Sequence, residues 1–144
     1  MRIYLDNCCF NRPFDKQEDI KVHLETEAKL NVQAEIKAGK FNLVWSYILD
    51  YENSFNPFEE RRNVIFEWRI YVVEDIVENE NVLKNAHELH KLGVKNKDAL
   101  HVACAVEGNC SYFLTTDKFV LKKASQIYEK LNINVINPIN FTLL

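Results

Sequence analysis

The chain has 144 residues, 47% of them hydrophobic and 12% aromatic, which is enough for one domain with a single core over residues 1–144. Its 18 basic and 21 acidic residues give a formal net charge of −3, which excludes a protein held on nucleic acid by bulk positive charge. The three glycines argue against a glycine-rich phosphate loop. No run reaches the ~18 apolar residues of a membrane span, and no charged-then-apolar leader opens the chain, so we expect a soluble cytoplasmic protein with no membrane partner.

Strand and helix patterns alternate in the first half of the chain. Residues 1–5 are predicted as a strand, 7–16 as a polar loop with aromatic residues, and 18–38 as a helix that Gly39 ends. Apolar residues recur at steps of four along this helix: Ile20, Leu24, Ala28, Val32 and Ile36. Residues 41–45 form a second predicted strand, and Ser46 is a candidate N-cap for a short helix through Glu52.

The second half continues the alternation. We predict helices over 58–68, 78–92, 97–107 and 118–131, and short strands over 71–73, 112–115 and 134–136. Gly93 ends the second of these helices, and the third is rich in small residues and so is expected to pack closely. The alternation predicts an α/β fold with a mainly parallel central sheet, in which sites form outside the carboxyl ends of the strands.

Four separated carboxylates lie at the edges of these elements: Asp6, Glu52, Asp98 and Asp117. Taken singly, each has an ordinary explanation as a turn residue, a helix cap, a first-turn acid or a solvent-facing helix residue. Asp6 and Asp117 each follow a predicted strand, so both are expected on one rim of the sheet. Hard divalent cations prefer oxygen ligands, so convergence of all four acids would indicate a metal-dependent hydrolase of phosphodiesters.

The sequence around these acids resembles the PIN (PilT N-terminal) domain nuclease family, in its VapC-like form. Residues 3–6 (IYLD) resemble the opening of the domain, and residues 46–52 (SYILDYE) its second motif, a serine followed six positions later by an acid. Residues 98–105 (DALHVACA) are similar to the family's D-A-x-x-A-x-A helix, and residues 115–119 (TTDKF) to its closing T-x-D-x-x-F signature. Asn137-Pro138 near the end is also typical. The four motifs stand in the family's order across nearly the whole chain.

This resemblance implies a PIN-like three-layer fold and a metal-dependent endoribonuclease activity. Asp6, Glu52, Asp98 and Asp117 would be both the catalytic residues and the ligands of Mg²⁺ or Mn²⁺. The partners implied are an RNA substrate, a second copy in a homodimer and, since many members are toxins of toxin–antitoxin pairs, an antitoxin protein. The alternative is a catalytically silent PIN-like module that binds RNA or a protein. A phosphatase with Asp6 as nucleophile would need an acid where the chain has Cys8.

Other polar residues near these motifs have open roles. Asn7 stands where the family places a small hydroxyl residue, and Asn7, Asn11 and Arg12 either touch a phosphate or metal-bound water, or shape their loop. His101 follows Asp98 on the same helical face, where it either lines the site or is a satisfied structural residue. Candidates for a basic rim are Arg12, Arg61, Arg62, Lys95, Lys97, Lys118, Lys122 and Lys123, and reserve acids are Asp15, Asp50 and Asp75.

Zinc and disulfide chemistry are not expected. The two histidines of residues 87–90 (HELH) are three positions apart, whereas the zinc-protease pattern needs four. No C-x-x-C pair exists, so structural zinc is also excluded. Cys8 and Cys9 are adjacent, and a chain of this size needs no disulfides, so all four cysteines are predicted to be reduced thiols.

Overall fold

A computed structural model describes all residues, 1–144, and is built around a five-stranded sheet. The strands are Arg2–Leu5 (β1), Asn42–Ser46 (β2), Val72–Ile76 (β3), Tyr112–Leu114 (β4) and Asn134–Ile136 (β5). They are ordered β3-β2-β1-β4-β5, and every neighbouring pair is parallel. The predicted α/β class with a parallel sheet is confirmed.

Nine helices flank this sheet. They are Asn7–Asn11 (α1), Ile20–Lys37 (α2), Tyr47–Ser54 (α3), Glu59–Glu67 (α4), Glu80–Lys91 (α5), Asn96–Glu107 (α6), Lys118–Leu121 (α7), Ala124–Leu131 (α8) and Pro138–Thr142 (α9). Successive strand residues point to opposite faces of a sheet. Ile3, Tyr4 and Leu5 of the central strand are all fully buried, so both faces of the sheet are covered, which gives a three-layer arrangement. No helix is long and apolar enough to cross a membrane.

The small residues of α6 allow the close packing that was predicted for it. Ala99, Ala103 and Ala105 are almost completely buried. At the C-terminal end of α6, a Cβ atom added to Gly108 would lie 2.7 Å from a methyl carbon of Val44 on β2. A side chain at that position would therefore push the helix away from the sheet.

Several predicted boundaries are confirmed, and others are wrong. Gly39 and Gly93 follow the ends of α2 and α5 with φ angles of +80° and +95°, as C-terminal glycines do. The predicted loop over 7–16 instead forms α1, which the Asp6 side chain caps, followed by a 3₁₀ turn over Arg12–Phe14. The predicted helix over 118–131 is divided into α7 and α8 at Lys122 and Lys123. Helix α9 was not predicted.

The apolar stripe that was predicted along α2 is wrong at its first two positions. Ile20 is 71% exposed and Leu24 is 49% exposed, whereas Val32 and Ile36 are buried. Because an α-helix turns about 100° per residue, a step of four residues drifts by about 40°, and four such steps carry the stripe most of the way to the opposite face. The buried face of α2 contains polar residues instead, including Glu25.

Glu25 joins three distant parts of the chain. Its buried carboxylate accepts a hydrogen bond from Arg12 Nε at 3.1 Å and one from Asn137 Nδ2 at 2.6 Å. Asn137 also caps α9, because its Oδ1 accepts from Ile139 N at 2.9 Å. The end of the chain is thereby fixed to α2 and to the turn after α1. All four cysteines are free thiols, as predicted.

Candidate active site

The candidate site lies where the strand order reverses. From β1 the chain proceeds to β2 and β3 on one side, and β4 then pairs on the other side of β1. Asp6 directly follows β1, and its amide donates to Leu114 O of β4 at 2.9 Å. Ligands of open α/β sheets bind at such switch points, outside the carboxyl ends of the strands.

Asp6 is buried and surrounded by hydrogen-bond donors. Its carboxylate accepts from Asn7 N at 2.8 Å, from Thr115 Oγ1 at 2.8 Å and from Cys8 Sγ at 3.4 Å. Thr115 Oγ1 in turn accepts from Asp117 N at 3.1 Å. One buried hydroxyl group therefore ties the acid after β1 to the acid that begins α7, and so fixes their relative positions.

Asp117 is the N-cap of α7. Its Oδ1 accepts from Phe119 N at 2.8 Å and, more weakly, from Val120 N at 3.4 Å. The ordinary explanation of this acid as a helix cap is thus correct for its Oδ1 atom. The role as a cap and a role in the site are compatible, because a carboxylate has several acceptor positions.

Glu52 on α3 contacts a buried chain of polar side chains. His101 of α6 is fully buried, its Nε2 bonds Glu52 Oε1, and its Nδ1 lies 2.6 Å from the Tyr4 hydroxyl. The Tyr4 hydroxyl is also 2.6 Å from Ser46 Oγ. With His101 neutral, its Nε2–H donates to the Glu52 carboxylate and its Nδ1 accepts from Tyr4, whose oxygen then accepts from Ser46. The residues of β1, β2, α3 and α6 are thereby aligned.

The electrostatic environment of this pair favours the charged forms. Burial lowers the pKa of His101, but the hydrogen bond that its Nε2–H donates to Glu52 and the charges of Asp6, Glu52 and Asp98 outweigh it, so the pKa is raised. Burial raises the pKa of Glu52, but His101, Lys97 and the Asn7 side chain outweigh it, so the pKa is lowered. His101 Nε2 is also only 3.8 Å from Asp6 Oδ1, which brings Asp6 and Glu52 to one histidine.

Asp98, in the first turn of α6, completes the group. Burial raises its pKa to about 6, and the charges of Asp6, Asp117 and Glu52 add to the rise, while His101 opposes it. Asp98 therefore interacts with all three of the other acids. The structure places the four sequence-predicted carboxylates within electrostatic range of one another at one end of the sheet, and none of them forms an ion pair with a lysine or arginine.

The donor set fits a hard divalent cation in its chemistry. Carboxylate oxygens are the ligands that Mg²⁺ and Mn²⁺ prefer, and uncompensated negative charge at Asp98 is the condition that a cation relieves. No three side chains of His, Cys, Asp or Glu are arranged as closely as the ligands of one ion. Glu52 is turned towards His101, so it would have to rotate to join a common set of ligands.

Comparison with known proteins identifies the architecture. No family model and no curated protein sequence matches the chain. The solved structure of VapBC2 from Rickettsia felis, bound to a DNA fragment from its promoter, contains a chain that aligns over 95% of this protein and 98% of its own length, at 16% identity and a TM-score of 0.58. VapBC-1 from nontypeable Haemophilus influenzae aligns over 96% and 98%, at 17% identity and a TM-score of 0.54. The chain has a VapC-like PIN fold. At this level of identity the likeness is one of fold.

In this PIN fold the reserve acids have structural roles. Asp15 pairs with Arg12 at 3.0 Å, Asp75 pairs with Arg69 at 2.8 Å, and Asp50 accepts from Trp45 Nε1 at 2.9 Å. Arg12 itself binds Asp15 and Glu25, so it shapes the turn after α1. The histidines of the HELH sequence belong to no group of metal-ligating side chains.

Part of the predicted basic rim does surround the acids. Lys97 Nζ lies 5.8 Å from the ring centre of Tyr51, the residue before Glu52. Lys95 and Lys122 lie 5.1 and 5.7 Å from the ring of Phe119, two residues after Asp117. Cations thus lie over exposed aromatic rings near two of the four acids, Glu52 and Asp117, although the chain as a whole is acidic.

Sequence reasoning missed Tyr4 and left His101 undecided. Tyr4 stands in an apolar strand, and this pattern alone predicts only a strand residue. The available signal was chemical: a buried tyrosine hydroxyl needs a hydrogen-bond partner. His101 was recognised on the Asp98 face of α6, but its contact with Glu52 depends on how α3 packs on α6, which the sequence does not specify.

Proposed function

We propose that the protein is a metal-dependent endoribonuclease in which Asp6, Glu52, Asp98 and Asp117 are the catalytic residues and hold Mg²⁺ or Mn²⁺. The observation that carries this proposal is the crowding of four acids from four separate elements, with a raised Asp98 pKa and no lysine or arginine partner. Clustered carboxylates repel one another, so a bound cation that offsets this repulsion would keep all four ionised at neutral pH.

The residues of the chain would have separate tasks. When bound, a divalent ion supplies Lewis acidity and a hydroxide-like nucleophile for attack on the phosphodiester. Asp6 is held by three donors and provides a fixed oxygen, and Thr115 couples its position to that of Asp117. His101 orients the Glu52 carboxylate through Nε2–H, and the hydrogen bond between Tyr4 and His101 Nδ1, with Ser46 behind Tyr4, fixes the orientation of the imidazole ring.

The first prediction tests this activity directly. Purified protein should cleave RNA with Mg²⁺ or Mn²⁺ and stop in EDTA, and Asp6→Asn should lower the rate by ~10²–10⁴-fold, the range that a positioned acid or base contributes. Asp75→Asn is the matched control, because Asp75 pairs with Arg69 outside the site, and it should cleave like wild type. Equal rates for Asp6→Asn and wild type would reject the assignment.

We further propose that the protein is the toxin of a toxin–antitoxin pair and acts in the cytoplasm as a homodimer with an antitoxin partner. Support comes from the two fold neighbours, both of which are VapBC proteins. Expression of a toxin alone should arrest the growth of the host cells. Co-expression with the product of the adjacent reading frame should relieve this arrest and yield a stable complex of the two proteins. Arrest that persists in the presence of every neighbouring product would contradict this part of the proposal.

The second candidate function is a catalytically silent PIN-like module that binds RNA or a protein. The engagement of Glu52 by His101 and the lack of a closed set of ligands favour this candidate. Calorimetric titration with Mn²⁺ separates the two functions. Saturable binding that Asp98→Asn abolishes supports the nuclease, and no binding at millimolar Mn²⁺ supports the silent module.

A further inference from the structure

We propose that a groove beside Glu52 is a binding subsite for one unpaired nucleobase of the RNA. This inference rests on the proposed function, since it concerns how the same site would hold its substrate. The groove has a volume of about 300 Å³ and runs between α1 and the turn that joins α3 to α4. This volume is at the lower end of the ~300–1,000 Å³ of ligand clefts, which suits a small planar group.

One wall of the groove is a row of neutral amides. Asn11 Nδ2 donates to Asn7 O at 3.1 Å, and Asn56 Nδ2 donates to Asn11 Oδ1 at 3.2 Å. Each amide offers both donors and acceptors, which is the chemistry of a base edge. Asn7 also lies beside Glu52, and hydrogen bonding from its side chain lowers the pKa of Glu52, so the row leads directly to the acids.

The other wall is aromatic and already fixed in place. Phe55 is 67% exposed and Phe58 is 54% exposed, although large apolar side chains gain free energy from burial. The guanidinium group of Arg61 lies 4.2 Å from the ring centre of Phe58 and 5.2 Å from that of Phe14, and it donates to Phe14 O at 3.0 Å. The groove therefore has planar groups for stacking that lose little freedom when a base binds.

The charges of the groove favour a base over a charged group. Asp15 pairs with Arg12, and the guanidinium of Arg61 stacks on Phe58 and donates to Phe14 O, so most of the hydrogen-bonding side chains of the groove are uncharged amides. Glu52 lines both the groove and the acidic cluster, so a base in the groove places its adjoining phosphate next to the acids. A base in a duplex has its faces stacked and its edge paired, so only an unpaired nucleotide can enter.

The test measures binding without cleavage. A fluorescently labelled single-stranded RNA hexamer is titrated in EDTA into the Asp6→Asn protein and followed by anisotropy. Adding Phe58→Ala should weaken binding about 5- to 150-fold, which corresponds to the ~1–3 kcal/mol of stacking per base on an aromatic ring. Phe66→Ala is the matched control, because Phe66 is an exposed phenylalanine of α4 that pairs with Arg69, and it should bind like its parent.

A set of hexamers with one abasic position each identifies the bound base. One of these hexamers should bind the Asp6→Asn parent more weakly than the intact hexamer does, by the same factor that Phe58→Ala causes. The Phe58→Ala protein should bind this abasic hexamer and the intact hexamer equally, since the two changes remove the same contact. The affinity of the Asp6→Asn parent for a fully paired duplex should be no higher than the affinity of the Phe58→Ala protein for the single strand. Phe58→Trp should retain binding, and a thermal melt verifies that each variant is folded.

Failure of the subsite can be told apart from failure of the nuclease. If RNA binds and is cleaved but Phe58→Ala behaves like Phe66→Ala, the subsite is wrong and the nuclease stands. If wild type with Mn²⁺ neither binds nor cleaves RNA, the proposed function fails and the subsite with it. A third outcome is that a co-expressed protein binds tightly, and that Phe58→Ala weakens this protein complex but leaves RNA binding unchanged. That result would overturn the subsite in favour of a protein occupant.

Discussion

At the scale of single residues, the site depends on a buried polar chain behind the acids. Tyr4, Ser46 and His101 have no exposed surface, yet their hydrogen bonds end at Glu52, which is partly open to solvent. Both interpretations of His101 therefore hold for its geometry, because it is a satisfied core residue and also contacts a candidate ligand. Such buried networks are costly when one member is removed and the remaining groups lose their partners.

Tyr4→Phe tests this chain with the smallest available change. Removing the hydroxyl leaves Ser46 Oγ and His101 Nδ1 each without one partner, so the free energy of unfolding should fall by about 1–3 kcal/mol. Tyr112→Phe is the control, because the Tyr112 hydroxyl on β4 makes no hydrogen bond within the protein, and its effect should stay within about 0.5 kcal/mol. Urea denaturation of both variants gives the comparison, and similar losses would contradict a special role for Tyr4.

The candidate acids can be predicted from the sequence because acidic residues occur there at the ends of predicted strands and within motifs that stand in the family's order. Asp6 and Asp117 follow strands, and strand ends are visible in the hydrophobic pattern. Glu52 and Asp98 lie on helices, where an acid carries little positional information, and they were selected by resemblance alone. The packing of α3 against α6, which brings Glu52 to His101, is a tertiary property and was outside what the sequence indicates.

At the scale of elements, the predictions failed where polar residues form regular structure. Strand β3 extends to Ile76 through Glu74 and Asp75, charged residues that the pattern assigns to a loop but that an edge strand tolerates. Residues 138–142 form α9 because Asn137 caps it and Pro138 is suited to the first helical position. This short helix packs on α2, and its capping residue binds the buried Glu25.

Asn137→Ala should show what this attachment contributes. The change removes the cap of α9 and one hydrogen bond to a buried carboxylate, and hydrogen bonds to charged groups contribute about 1.5–3 kcal/mol. We expect the free energy of unfolding to fall by that amount. Asn140→Ala, on the exposed face of α9, serves as the control and should change stability little. Protease digestion should also remove the last residues of Asn137→Ala faster, and equal digestion of both variants would argue against the attachment.

At the scale of the whole molecule, the sheet order concentrates charge at one end. The reversal beside β1 places Asp6 and Asp117 on neighbouring strand ends, and α3 and α6 add Glu52 and Asp98. The pKa of Asp98 rises to about 6 from a usual value of about 3.9, so the metal-free folded protein binds more protons than the unfolded chain between these values. The contribution of Asp98 to the free energy of unfolding is therefore fully present below about pH 4 and is lost as the pH rises through about 6.

Two further groups set the ends of the pH profile. His101 also has a raised pKa, so its stabilising contribution is fully present below about pH 6.5 and is lost as the pH rises through the folded-state value. Glu52 has a lowered pKa, so its contribution is present above about pH 4.3 and is lost as the pH falls through its folded-state value. Metal-free protein should therefore become less stable as the pH rises from about 5 to 8.

Asp98→Asn tests the convergence of the acids without knowledge of the substrate. In EDTA at pH 7.5 the variant should be at least as stable as wild type, because one of four repelling charges is removed, although loss of a first-turn acid offsets about 0.3–1 kcal/mol. Its melting temperature should also fall less than that of wild type between pH 5 and 7.

Millimolar Mn²⁺ at a hundredfold excess over Kd should stabilise wild type by about 2.7 kcal/mol. Asp98→Asn should lose most of this gain, whereas Asp75→Asn should keep it, because Asp75 pairs with Arg69 outside the site. If wild type shows no Mn²⁺ shift and Asp98→Asn is destabilised in EDTA, the four carboxylates do not act together.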